Sequence, residues 1–243
     1  MRIPRVHIGA ELVVGEDVLL DKSQSHYLKH VLRLKPGAAL LLFDGLEAID
    51  YQATLSIEGK QVRATINSAL ALQTESGLDC EIIQAMGRSD HMDWVIQKTT
   101  ELGVNRIAIF NAERTQSPMK STQLEKKLVH WRGVAISACE QSGRAIIPAL
   151  DFHPDLEQAI AASSSESGLL LDFNGAVLTS ALQPLPQSIS ILLGPEGGLT
   201  LPEIQFAKTA GFKSVRLGPR VLRTETAATA ALAIVQSVVG DLG

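Results

Sequence analysis

The chain has 243 residues, 45% of them hydrophobic and 20% charged, with a formal net charge of −4. This length and balance exclude a disordered chain and allow one large domain or two smaller ones, each with its own core. The acidic excess excludes a bulk polycation, so any contact with nucleic acid must rest on local basic patches.

Residues 1–72 have the texture of a small β-barrel. Strand-type runs at 39–43, 51–57 and 61–66 are punctuated by Lys35-Pro36-Gly37, Asp44-Gly45 and Glu58-Gly59-Lys60. Before them, the spacing predicts a helix over 25–34, with His26, Lys29, His30 and Arg33 on one face and Tyr27, Val31 and Leu34 on the other. A solvated face is the plain reading of that basic stripe. With Arg2 and Arg5 nearby it also suits RNA phosphates. His26 and His30 alone lack a third metal ligand, so no metal is expected.

The polar stretch 73–77 marks a boundary, and residues 73–243 follow an α/β pattern. Strands are expected at 80–86, 104–110, 168–173, 189–193 and 214–217, and helices over 89–103, 121–142, 154–167, 200–211 and 224–240. In the 121–142 helix, Leu124, Leu128, Trp131, Ala135 and Ala138 form the buried stripe, with Cys139 beside them as a core residue. Thr200 and Glu203 fit a capping box with Pro202 in the first turn. The alanine-rich final helix suits close packing against a neighbour. Cys80 and Cys139 offer no disulfide framework, 227–239 is too short and polar to span a bilayer, and the first residues lack a signal-peptide core. A cytoplasmic location is expected.

Two strands run into glycine turns, Gly194-Pro195-Glu196-Gly197-Gly198 and Gly218-Pro219-Arg220, and each turn leads to a helix. Glycine admits close backbone approach to a ligand, and the carboxyl ends of parallel strands are where such crevices form. Neither turn reads G-x-G-x-x-G or G-x-x-x-x-G-K-[ST], and no H-E-x-x-H, paired C-x-x-C or G-x-S-x-G occurs. What remains is a charged pair of turns carrying Glu196, Arg220, Arg223 and Glu225.

Leu-Leu-Gly-Pro-Glu-Gly-Gly-Leu at 192–199 and Leu-Gly-Pro-Arg-Val-Leu-Arg-Thr-Glu-Thr-Ala at 217–227 resemble the signature of the RsmE family, ribosomal RNA small-subunit methyltransferases of the SPOUT class acting on uridine N3. Gln97-Lys98, Glu101-Leu102-Gly103 and Glu140-Gln141-Ser142 with Arg144 and Pro148 resemble its middle motifs. His30-Val31-Leu32-Arg33, Pro36-Gly37 and Phe43-Asp44-Gly45 resemble its amino-terminal domain, so the similarity runs through nearly the whole chain. His91 stands where the family usually has Lys or Arg, and Arg88 keeps a charge where Lys is common.

The resemblance implies an amino-terminal PUA-like barrel for RNA and a carboxyl-terminal parallel-sheet domain with a trefoil knot. It implies S-adenosylmethionine held by Leu171, Gly194, Glu196, Leu217, Gly218 and Leu222, in a homodimer acting on 16S rRNA or the small ribosomal subunit. Uridine N3 must lose a proton before it can attack, so a carboxylate base and a guanidinium over the developing anion are expected. Arg223 suits the second role, and Glu225 or Glu196 the first. Because N3 lies on the Watson–Crick edge, the target must be unpaired. Arg2, Arg5, His26, Lys29, His30, Arg33 and Arg88 are expected to grip phosphates around it. A non-catalytic RNA-binding protein, or a SPOUT enzyme acting on another position such as a ribose 2′-hydroxyl, are the alternatives.

Overall fold

The computed structural model describes residues 3–59 and 61–243. Its contacts divide into two compact units, Met1–Glu75 with Cys139–Ile147, and Ser76–Ala138 with Pro148–Gly243.

The first unit is a five-stranded sheet. Its strands are β1 (Arg5–His7), β2 (Asp17–Leu19), β3 (Ala39–Phe43), β4 (Ile49–Glu58) and β5 (Gln61–Ala71), in the order β1-β3-β4-β5-β2. β1 pairs with β3 in parallel and the other pairs are antiparallel. Alternation along the strands turns Leu40 and Leu42, Ala53 and Leu55, and Val62, Ala64 and Ile66 into one core. β1 and β2 were not expected from the sequence, because three-residue strands carry too little alternation to stand out.

The helical segment of this unit differs from the one its spacing predicts. α1 covers only Lys22–His26, started by Asp21 and Gln24 in a capping box, and Tyr27–Val31 continues as a π-helical turn. The Leu32 N–H reaches back to the Tyr27 carbonyl at 2.9 Å, five residues away. That wider turn breaks the 3.6-residue period on which the two faces were drawn. Leu28 is therefore the fully buried residue, whereas Tyr27 is 43% and Val31 59% exposed. Arg33 lies beyond the helix with φ of 54°.

The segment Cys139–Ile147 completes this unit. Arg144 is buried and donates to Glu75 Oε2 at 2.7 Å, and the His7 N–H donates to Glu140 at 3.1 Å.

The second unit is a six-stranded, wholly parallel sheet. Its elements are β6 (Asp79–Ala85), α2 (Ser89–Glu101), β7 (Arg106–Phe110), α3 (Ser121–Ser142), β8 (Ala149–His153), α4 (Leu156–Ala161), β9 (Ser167–Val177), β10 (Ser188–Leu193), α5 (Leu201–Thr209), β11 (Phe212–Arg216) and α6 (Thr224–Val238). Strands buried on both faces read as continuous apolar runs, as Ile107 to Phe110 and Ile189 to Leu193 do.

The order β11-β9-β10-β6-β7-β8 fills one side of β6 with β7 and β8, then crosses to fill the other. The reversal falls between β6 and β10, where a parallel sheet opens a crevice at its carboxyl edge. Trp131, Ala135 and Ala138 of α3 are buried, whereas Leu124 and Leu128 of the same expected stripe are only half-buried, and the Trp131 indole donates to Asp93 at 3.1 Å. On α6, Ala228 and Ala231 are buried where the helix packs on α2 and β10, and Ala227, Ala230 and Ala233 are half-buried. The expected 154–167 helix is only α4, since the serine-rich tail supplies side chains that compete for backbone bonds. No helix among the described residues is long and apolar enough to cross a membrane.

Candidate functional site

The carboxyl ends of β9, β10 and β11 and the starts of α2 and α6 enclose a cavity of about 640 Å³. This lies within the range of small-molecule sites, about 300–1,000 Å³. All six residues expected to hold the donor, Leu171, Gly194, Glu196, Leu217, Gly218 and Leu222, line it. Arg223 and Glu225 line it too.

Two devices shape the cavity. The first is the turn after β10, where the Gly198 N–H bonds the Pro195 carbonyl at 2.9 Å and Gly198 takes φ of 68°. A Cβ on Gly194 would sit 3.0 Å from the Leu199 amide nitrogen, so only glycine lets the chain double back this tightly. The second device is a slip in the β9–β11 register. Ser214 pairs with Leu170 but Val215 pairs with Ala176, which leaves residues 171–175 looped out of the ladder. That loop brings Leu171, Asp172 and Phe173 to the cavity wall. It closes at Gly175, where any Cβ would collide with the backbone of Ser214 and Val215. Sequence periodicity cannot reveal such an excursion, and the strand expected at 168–173 ends before the turn-type pair Asn174-Gly175, the one local signal of it.

Thr224 ties the two glycine turns together. Its hydroxyl donates to the Gly194 carbonyl at 3.1 Å and accepts from the Gln84 amide at 3.1 Å. Thr224→Val keeps the shape but removes both bonds, leaving the Gln84 amide only its bond to the Ala85 carbonyl, so an unfolding free energy lower by about 1–3 kcal/mol is expected in denaturant titration.

The charged wall of the cavity is built on Glu196. Its Oε1 accepts from the Arg88 N–H at 3.2 Å and lies 3.0 Å from His91 Nδ1. Gly87 leaves room for it, since a Cβ there would come within 3.2 Å of the same oxygen. Burial acts to raise the Glu196 carboxyl. The hydrogen bonds from its own backbone, from the Arg88 N–H and from His91 together outweigh burial and hold it below the usual carboxylate range. Glu225 Oε2 lies 3.8 Å from the same His91 nitrogen, is buried, and has no hydrogen-bond partner among the described residues. His91 thus faces two carboxylates, a grouping that spacing along the chain did not suggest. Arg223 occupies the N-cap of α6, is exposed, and makes no side-chain hydrogen bond or ion pair among the described residues. Its guanidinium is available to a ligand.

The residues expected to grip phosphate divide differently. Arg5 does not qualify. It is 7% exposed, and its guanidinium is spent on Asp50 at 2.6 Å and on the carbonyls of Cys139 and Arg144 at 2.6 and 3.0 Å. Proximity to a basic helix in sequence says nothing of burial, and no solvent-facing charge remains there. His26, His30 and Arg33 are exposed and Lys29 half-buried, with the His26 and His30 rings 4.9 Å apart. Arg88 points its side chain to solvent beside Asp90 at 3.7 Å. Arg2 lies outside the described residues. No group of three metal-ligating side chains occurs among the described residues. Cys139 is fully buried and its thiol is pushed up to about 11, chiefly by burial, which suits a core residue and not a nucleophile.

Comparison with known proteins places this geometry in context. Residues 74–236 match the RNA methyltransferase domain family, and residues 20–67 match the RNA methyltransferase PUA domain. A ribosomal RNA small subunit methyltransferase E from Buchnera aphidicola is 34% identical, covering 99% of this chain and 98% of that protein. The crystal structure of a ribosomal RNA small subunit methyltransferase E from Neisseria gonorrhoeae, bound to S-adenosyl methionine, is 36% identical with a TM-score of 0.91 over 100% of both chains. A Legionella pneumophila methyltransferase in complex with the cofactor SAM is 34% identical with a TM-score of 0.93, again over 100% of both. The similarity runs over the whole length of the chain, and the chain belongs to the ribosomal RNA small subunit methyltransferase E family of the SPOUT class.

Proposed function

We propose that the chain methylates N3 of an unpaired uridine in the decoding region of 16S rRNA, using S-adenosylmethionine, in the cytoplasm and as a homodimer. The observation that carries this reading is the single cavity in which both glycine turns, the β9 loop, the carboxylates of Asp172, Glu196 and Glu225 and the unpaired guanidinium of Arg223 meet. The residues fit the donor. Leucines at 171, 193, 199, 217 and 222 make an apolar slot, and the turns offer backbone polar groups beside it. S-adenosylmethionine supplies a methyl group activated by its sulfonium. The knotted carboxyl-terminal path implied by the resemblance is part of the same reading.

The chain's own task is to position the base and manage its proton. Glu196 is already committed to three hydrogen bonds and held acidic. Glu225, with an unpartnered oxygen, is the better acceptor for the N3 proton. Arg223 faces the charge left on the uracil oxygens.

Titration calorimetry with S-adenosylmethionine, followed by mass mapping of 16S rRNA treated with the chain, tests this. Donor binding and a new methyl on a uridine base are expected. Absence of donor binding leaves an RNA-binding protein, and a ribose methyl instead replaces the proposed target. The basic residues at the end of the first unit's helical segment give a second expectation. Reversing charge at Lys29 and Arg33 should weaken RNA binding, with a shallower salt dependence in filter binding by about one unit of slope per lost phosphate contact. Unchanged affinity would reduce them to solvated surface.

A further inference from the structure

Resting on the RNA substrate just proposed, we infer that Arg114 is a further substrate-binding residue, which grips a phosphate of the nucleotide whose base enters the cavity. The starting observation is a loop that reaches across the sheet. The strands are parallel, so the loops after β7, β10 and β11 all leave its carboxyl edge, with β6 standing between β7 and β10. The loop after β7 passes the end of β6, where the Thr115 hydroxyl donates to the Met86 carbonyl at 3.4 Å. It then lands on the glycine turn after β10, where Arg114 Nη1 donates to the Gly197 carbonyl at 3.2 Å. Gly197 lies between Glu196 and Gly198, which both line the cavity. The landing needs a small residue there, since a Cβ on Gly197 would crowd the Arg114 Cβ at 3.3 Å.

The backbone under Arg114 is fixed, and its charge is not compensated. A tight turn over residues 112–115 is closed by the Thr115 N–H on the Ala112 carbonyl at 3.0 Å and by the Ala112 N–H on the Thr115 hydroxyl at 3.0 Å. At its tip the Glu113 N–H donates to Glu203 Oε1 at 2.9 Å, and Asn111 and Met119 clasp the base of the loop with hydrogen bonds of 2.8 and 3.2 Å. Arg114 itself is exposed and makes no ion pair among the described residues. Arg5, Arg106 and Arg144, by contrast, each meet a carboxylate at 3.0 Å or less. The Gly197 carbonyl takes one guanidinium N–H and none of its charge, and the remaining donors form the planar fork that matches a phosphate. Arg220 and Arg223, also exposed, face the cavity from the loop after β11. Guanidinium groups from two loops therefore stand at the rim of one cavity, in a chain whose net charge is −4. An RNA strand that delivers an unstacked base into the cavity leaves its phosphates at that rim.

Equilibrium binding of a 16S rRNA transcript to the unmodified chain, R114Q, R114K and K213Q over a series of salt concentrations tests this, with calorimetry of S-adenosylmethionine on the same proteins. R114Q keeps a donor for the Gly197 carbonyl and loses the charge. Its RNA affinity should fall about tenfold, and its salt dependence should become shallower by about one unit of slope. R114K should keep the slope and lose part of the affinity, because an ammonium cannot present the fork. K213Q removes an equal charge from an exposed side chain near the start of β11, at the opposite edge of the sheet. It should bind RNA within about twofold of the unmodified chain. Donor affinity should be the same in all of them. Unchanged RNA affinity in R114Q, or an equal loss in K213Q, overturns the inference. So does a matching loss of donor affinity in R114Q, which would make Arg114 a brace for the glycine turn. If the unmodified chain binds the RNA but no S-adenosylmethionine, the methyltransferase reading fails and the R114Q comparison still decides the role of Arg114. If it binds no RNA, both fall.

Discussion

Arg223→Ala lowers methyl-transfer turnover by about 10²–10³-fold, the usual effect of removing a group that stabilises developing charge, while donor affinity stays within a few-fold. The expectation follows from what Arg223 does not do. It sits at the N-cap of α6 without a side-chain cap bond, makes no ion pair among the described residues, and projects from an exposed position on the cavity wall. Nothing in the fold depends on the guanidinium, so truncation should leave the melting temperature unchanged. Arg223→Lys should recover only part of the rate, because an ammonium cannot present two parallel donors to flanking carbonyl oxygens. Single-turnover rates with saturating donor measure the loss, and preserved turnover in the alanine variant would remove Arg223 from the chemistry.

Asp50→Ala lowers the unfolding free energy of the first unit by about 3–5 kcal/mol, because it leaves the Arg5 guanidinium buried without its counter-charge. The pair is almost wholly enclosed, with side chains 4% and 6% exposed and an N–O distance of 2.6 Å. Arg5 also lies over the Phe43 ring at 4.8 Å, so it cannot swing out to water without opening the core. Denaturant unfolding followed by a probe in the first unit provides the measurement. A loss under about 1 kcal/mol would mean that the pair behaves as a surface ion pair, and would return Arg5 to the candidates for RNA contact.

Much of the second unit was legible from sequence because its signals are local and redundant. The 121–142 helix was read from its periodicity, and the Thr200–Glu203 capping box and the stops at Gly103 and Gly211 add capping devices to theirs. The cavity residues were found through the two glycine turns and the resemblance those turns carry. What escaped depends on contacts distant in sequence. His91 meets Glu196 across 105 positions, and Arg5 meets Cys139 across 134. The looped residues of β9 are visible only once β11 is seen to pair on both sides of them. The first unit's helix was misdrawn for another reason, since a π-helical turn changes the period itself.

The inclusion of Cys139–Ile147 in the first unit bears on how the protein is made. Arg5 needs carbonyls from Cys139 and Arg144, and Glu75 needs Arg144, so a nascent chain cannot finish its opening portion until residue 147 has left the ribosomal tunnel. Two strands of the later sheet, β6 and β7, and the helices α2 and α3 must emerge first. Synthesis order and assembly order therefore diverge in this molecule, and a fragment cut after residue 75 lacks both the carbonyls that Arg5 donates to and the guanidinium that pairs with Glu75.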